Sequence, residues 1–116
     1  MKTKTFFAVL SVLGLLASCA QMSPHPMDMT LAIQDAKTSA DHEALAKHYE
    51  DAAKEMRLKA QNHKKKLVQY KAKSHLYGKQ AQPLQAHCRN LISFYDQAAE
   101  ANMNMARNHH EMAQKK

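Results

Sequence analysis

Tryptophan is absent from the 116 residues, glycine occurs only at Gly14 and Gly78, and proline only at Pro24, Pro26 and Pro83. Each scarcity excludes something. With 6% aromatic residues and so few turn formers, the chain offers little to a β-sheet, whose strands favour aromatic and β-branched side chains and whose hairpins need glycine-rich turns. Two isolated glycines cannot form the loop that cradles a nucleotide phosphate. There is no Cys-x-x-Cys-His haem motif, no His-Glu-x-x-His zinc motif and no Glu-x-x-His repeat of the di-iron type. Ser23, Ser39, Ser74 and Ser93 lie in no nucleophile motif, and Asp41, Glu43, Glu50 and Asp51 read as helix-cap and surface carboxylates rather than as an acid and base pair. An enzyme is therefore not expected. Alanine, lysine, glutamine and methionine dominate instead, and these residues sustain long helices, so the fold class expected is all-α.

The apolar run from Phe6 to Leu16 follows Lys2 and Lys4. It is too short for a bilayer span of about 20 residues and fits the apolar core of a secretory signal, about 7–15 residues. The run closes on Leu16-Ala17-Ser18-Cys19. This stretch resembles the signal peptide and lipobox of bacterial lipoproteins, and the resemblance covers only these first residues. It implies that residues 1–18 are removed and that the Cys19 thiol carries a diacylglycerol, with further acylation, as by palmitate, at the new N-terminus. Ala20 stands where an aspartate would favour retention in the inner membrane, so the resemblance implies anchorage in the outer membrane, facing the periplasm. Several acyl chains, at about 0.8 kcal/mol per buried methylene, hold a protein to a membrane without a spanning helix.

Cleavage removes Lys2 and Lys4 and lowers the formal charge from +7 to +5, fifteen basic against ten acidic side chains. It also leaves Cys88 as the only thiol with a free side chain. No intramolecular disulfide can then form, and Cys88 is read as a packed residue, with a Cys88–Cys88 bond between copies or a soft-metal contact as alternatives. From Ala20 to Met29 the two prolines and the lack of helical period indicate a tether that could reach roughly 30 Å when extended. The organisation expected is a signal at 1–18, a lipidated cysteine and tether at 19–29, and a helical domain at 30–116.

Within that domain Thr30 to Lys37 suggests a short helix with Asp28 or Thr30 as cap, and Thr38-Ser39-Ala40-Asp41 supplies cap candidates for a long one. His42, Tyr49, Met56, His63 and Tyr70 recur every seven residues, and Leu45, Ala52, Ala60 and Leu67 are the expected companion row. Gly78 suits a helix C-cap and Pro83 the first turn of the next helix. Beyond them run two more rows, Cys88, Tyr95, Asn102 and His109, and Leu84, Leu91, Ala98, Met105 and Met112. The result is an antiparallel, coiled-coil-like helical hairpin. A short turn near residue 78 pairs residues whose numbers add to about 157, which sets Tyr70 against His87 and Cys88, His63 against Phe94 and Tyr95, and Leu45 with Tyr49 against Met112, His109 and Met105. So small a core is expected to need a second copy, giving a homodimeric helical bundle.

Two constellations stand out. Between Lys54 and Arg89 there are ten basic residues and a single acidic one, Glu55, whereas the other nine carboxylates lie toward the opposite end. The hairpin tip is thus basic, with Lys59, Lys64, Lys65, Lys66, Lys71, Lys73 and Lys79 as candidate contacts for a polyanion: lipid headgroups, acidic glycan or an acidic protein. A periplasmic address argues against nucleic acid. The leading expectation is an anchored structural or adaptor protein with no cofactor. The alternative is a periplasmic Cu(I) or Ag(I) binder, because Met105, His109 and Met112 share one helical face and thioether with imidazole suits soft cations. The tether repeats these donors at Met22, His25, Met27 and Met29.

Overall fold

The computed structural model describes residues 28–115; the lipobox, Cys19 and the tether as far as residue 27 lie outside the described residues. Helix α1 spans Met29–Asp35, where the Asp28 carboxylate accepts from the backbone N–H groups of Thr30 and Leu31. Helix α2 runs Ser39–Ala72, the short α3 Ser74–Tyr77, a 3₁₀ turn Gly78–Gln80, and α4 Ala81–Gln114. The two long helices, 34 residues each, pack antiparallel, so the chain is an all-α extended hairpin preceded by a short helix.

Local chemistry sets the ends of α2. Thr38 Oγ1 accepts from the Asp41 N–H at 3.1 Å, while Asp41 Oδ2 accepts from the N–H groups of Thr38 at 2.9 Å and Lys37 at 3.0 Å, a reciprocal capping box. The backbone donors of Lys37 and Thr38 hold the Asp41 carboxyl below its usual range. At the tip Gly78 has φ +52° and ψ −126°, a conformation that any Cβ would strain. Pro83 occupies the third position of α4, where its missing N–H would have had no intrahelical acceptor. Tyr70 and Tyr77 meet edge-on with centroids 5.4 Å apart and brace the tip.

The seam between the helices is built of small residues. Ala46, Ala53, Ala60, Ala99 and Ala106 are at most 2% exposed. Seven-residue steps give Ala46, Ala53, Ala60 and Leu67 on α2, and Gln85, Ile92, Ala99, Ala106 and Ala113 on α4. On α2 the expected row holds at Leu45, Ala60 and Leu67, with Ala53 in place of Ala52; on α4 the observed row replaces the expected one through Leu84, Leu91, Ala98, Met105 and Met112, which lies one residue away. The physical reason is close approach: alanine lets two backbones come to the short end of the usual interaxial range, about 8 Å, and leaves no room there for leucine or methionine. Larger side chains move to the flanks, so Met105 and Met112 stay 40% and 45% exposed, and Phe94 65%. Leu45 is the exception, fully covered beside α1. Cys88 is buried and free, in keeping with its reading as a packed residue.

Candidate functional site

The hairpin carries its chemistry at both ends. At the open end the seam row brings His42, Tyr49 and His109 into contact. The Nδ1 atoms of His42 and His109 lie 3.1 Å apart, so one donates and the other accepts. Their rings meet edge to edge across this contact, inclined by 25° with centroids 5.4 Å apart, and Tyr49 lies nearly parallel to His109 at 5.6 Å. Burial, and then the His42 charge, push the His109 pKa below its ordinary value of 6.5. Of the three candidate soft donors, His109 therefore faces into the seam and the two methionines flank it on the exposed side. A second stacked pair, His63 on Tyr95 at 5.6 Å, leaves a buried His63 Nδ1 without a hydrogen-bond partner among the described residues.

His110, one residue on, points to the other edge of the hairpin. Its Nδ1 and Nε2 lie 2.9 Å from Glu43 Oε2 and 3.0 Å from Glu50 Oε1. A protonated ring donates to both carboxylates and ties the last turns of α4 to the start of α2. The Glu50 hydrogen bond, with the Glu43 charge beside it, raises the His110 pKa above 6.5. Sequence reading assigned Glu43 and Glu50 to cap and surface duty alone; their seven-residue spacing, bracketing His110 in the hairpin register, was the signal for this clamp.

The two histidines respond to pH with opposite sign. His110 contributes stability that is complete below the unfolded-state pKa and fades as pH rises through its raised folded value. His109, held neutral, contributes stability above 6.5 that fades as pH falls through its lowered value. The opposed slopes partly cancel. The His110→Gln protein is expected to lose thermal stability relative to wild type below pH 6.5, where the clamp is charged, and to converge with it by pH 8. Tm measured by circular dichroism from pH 5.5 to 8 checks this; a deficit that is constant with pH would contradict it.

At the tip, the seven candidate lysines divide. Lys59 pairs with Glu55 at 2.9 Å and sets its ammonium 5.9 Å from the Tyr95 ring centroid, and Lys64 lies 3.8 Å from Asp96. Lys65, Lys66, Lys71, Lys73 and Lys79 are exposed and enter none of the ion pairs among the described residues. Leu76, 66% exposed, and Tyr77 sit between them at the apex. The carboxylates of Asp35, Asp41, Glu43 and Asp51 gather at the other end, which makes the hairpin an electrical dipole.

No protein-family model, curated protein or solved structure matches the chain. The site's own chemistry is what bears on function. No helix among the described residues is long and apolar enough to cross a membrane.

Proposed function

We propose that the protein is a lipoprotein anchored through Cys19 to the bacterial outer membrane, with a non-enzymatic adaptor role in which the basic tip contacts anionic envelope material. The observation that supports this most is the set of five exposed lysines in the tip half of the hairpin that enter no ion pair among the described residues, standing toward the end opposite most of its acidic groups. Helices of 34 residues are about 50 Å long at 1.5 Å per residue. A tether ahead of α1 can therefore present the tip well away from the anchoring bilayer. Leu76 and Tyr77 at the apex add apolar surface suited to the boundary between headgroups and acyl chains. The exposed Leu58 and Phe94 support the pairing of two copies.

The tip reading is tested with vesicles. The protein is expected to bind vesicles containing phosphatidylglycerol and not vesicles of phosphatidylcholine alone; equal binding to both, or to neither, would contradict it. The anchor is tested separately by fractionating cells that express the Cys19→Ser protein. That protein is expected to leave the membrane fraction and to sediment as a dimer. Continued membrane association would refute the lipid anchor, and a monomer at tens of micromolar would refute the pairing.

A further inference from the structure

The α4 row of Leu84, Leu91, Ala98, Met105 and Met112 stays outside the seam, and neither the basic tip nor the His110 clamp makes use of it. Each member stands one residue, or about 100° of helical rotation, ahead of a seam position at Gln85, Ile92, Ala99, Ala106 or Ala113. The row therefore follows the seam along one edge of the hairpin, over about 42 Å from Leu84 to Met112 at 1.5 Å per residue. None of it is fully covered. Leu84, Leu91 and Ala98 are half-buried and Met105 and Met112 exposed, and beside them stands the exposed Phe94, three residues after Leu91 and four before Ala98. The other edge of the hairpin is polar, since His110 joins Glu43 and Glu50 there and Lys64 faces Asp96.

Self-complementarity and charge both select a second copy of the chain as the occupant of the apolar edge. A two-fold contact requires a patch that fits itself. Ala98 lies near the midpoint of α4, with Leu84 and Leu91 toward the tip and Met105 and Met112 toward the open end. An antiparallel contact of α4 with its copy, with the two-fold axis near Ala98, sets the leucines of each along the methionines of the other and keeps both helices in contact over their full length. Phe94 then lies close to the axis and is covered in both copies. The charge distribution fixes the direction. Parallel pairing would bring two basic tips together, whereas antiparallel pairing sets each tip beside the other copy's open end, where Asp35, Asp41, Glu43 and Asp51 gather.

We infer that two copies pair antiparallel through Phe94 and the α4 row from Leu84 to Met112, forming a four-helix bundle in which the tip of each hairpin stands at the open end of the other. This face and direction rest on the association of copies proposed above. Tethers then leave from both ends of the bundle, so pairing lays it along the bilayer with a basic tip at each end, whereas an unpaired hairpin can hold its tip away.

The test combines sedimentation equilibrium with a spin-label distance, both on the full-length Cys19→Ser protein. Phe94→Glu and Met105→Glu each place a charge at an exposed position, and each is expected to weaken the dimer at least tenfold with the circular dichroism spectrum preserved. Val68→Glu is the control. Val68 is as exposed as Phe94 but lies on α2 one turn beyond Lys64, on the polar edge, and its substitution is expected to leave the dimer intact. A nitroxide on Lys79→Cys, with Cys88→Ala to leave one label per copy, reads the direction without altering the apolar edge. Antiparallel pairing places the two labels about 50 Å apart, and parallel pairing places them within about 25 Å. A protein that is monomeric before any substitution on the edge would overturn the association of copies altogether. A dimer that survives both Phe94→Glu and Met105→Glu, or that Val68→Glu weakens as much, would overturn this face and leave the association standing. A short label distance would overturn the antiparallel direction.

Discussion

Replacing Lys65, Lys66, Lys71, Lys73 and Lys79 together by glutamine is expected to weaken binding to phosphatidylglycerol vesicles by about 10²–10³-fold at low salt, since a lysine near an anionic surface contributes about 1 kcal/mol. Five such lysines set an upper limit of about 5 kcal/mol, and the expected loss lies below it because they are spread from the last turns of α2 through the connection at Lys73 and Lys79 and cannot all face one surface. The effect on folding should be small. None of the five enters an ion pair among the described residues, and glutamine matches lysine closely in helix propensity. A fall in affinity with the circular dichroism spectrum and Tm preserved is the expected pattern. Unchanged affinity would assign these lysines to keeping an exposed helical surface soluble.

The second large effect concerns the seam. Ala99→Leu is expected to cost about 2–3 kcal/mol, because the side chain points into the space between two closely approaching backbones and overpacking there typically costs 1–3 kcal/mol. For a domain of this size that corresponds to a fall in Tm of roughly 10 °C or more. The neighbouring substitution is the control. Ala98 lies on the half-exposed flank beside Leu91, so Ala98→Leu should stay within about 1 kcal/mol of wild type and can add burial. Equal effects at the two positions would contradict the alanine seam, and a larger effect at Ala98 would restore the row through Leu84, Leu91 and Met105.

That contrast marks what the amino-acid pattern could and could not disclose. The helices, their caps at Asp28 and Thr38, and the turn at Gly78 were legible because capping and backbone strain act over a few residues. The register was legible too: a short connection between antiparallel helices leaves little freedom, and the stacking of His63 on Tyr95 and of Tyr49 on His109 matches the expected pairing. On α4 the seam was displaced by one residue for a definite reason. Ranking positions by hydrophobicity selects leucine and methionine, whereas helices this close are matched by side-chain volume, for which Ala46, Ala53, Ala99 and Ala106 are the better choice.

The histidines show the same limit. His109 was identified on chemical grounds with the methionines along its own helix, but its nearest nitrogen partner, His42, comes from the other helix and six residues away from the ideal register. His109 is hydrogen-bonded to His42 and His63 lies nearly parallel to Tyr95, and ring orientation leaves no trace in sequence spacing. At the tip the composition disclosed the charge but not its pairing. Lys59 is drawn off by Glu55 one turn earlier, an i,i+4 relation that the sequence contained, and Lys64 by Asp96 across the hairpin.

The measurement that bears most directly on the adaptor reading is the salt dependence of binding between the protein and a soluble polyphosphate chain. Each phosphate neutralised on a flexible polyanion contributes about −0.7 to the slope of log K against log salt, so engagement by the five tip lysines gives a slope of about −3 to −4. Such a slope, reduced toward zero in the five-glutamine protein, is the expected result. Binding that holds constant between about 50 and 200 mM salt, or a slope the tip substitutions leave unchanged, would contradict a polyanion contact at the tip.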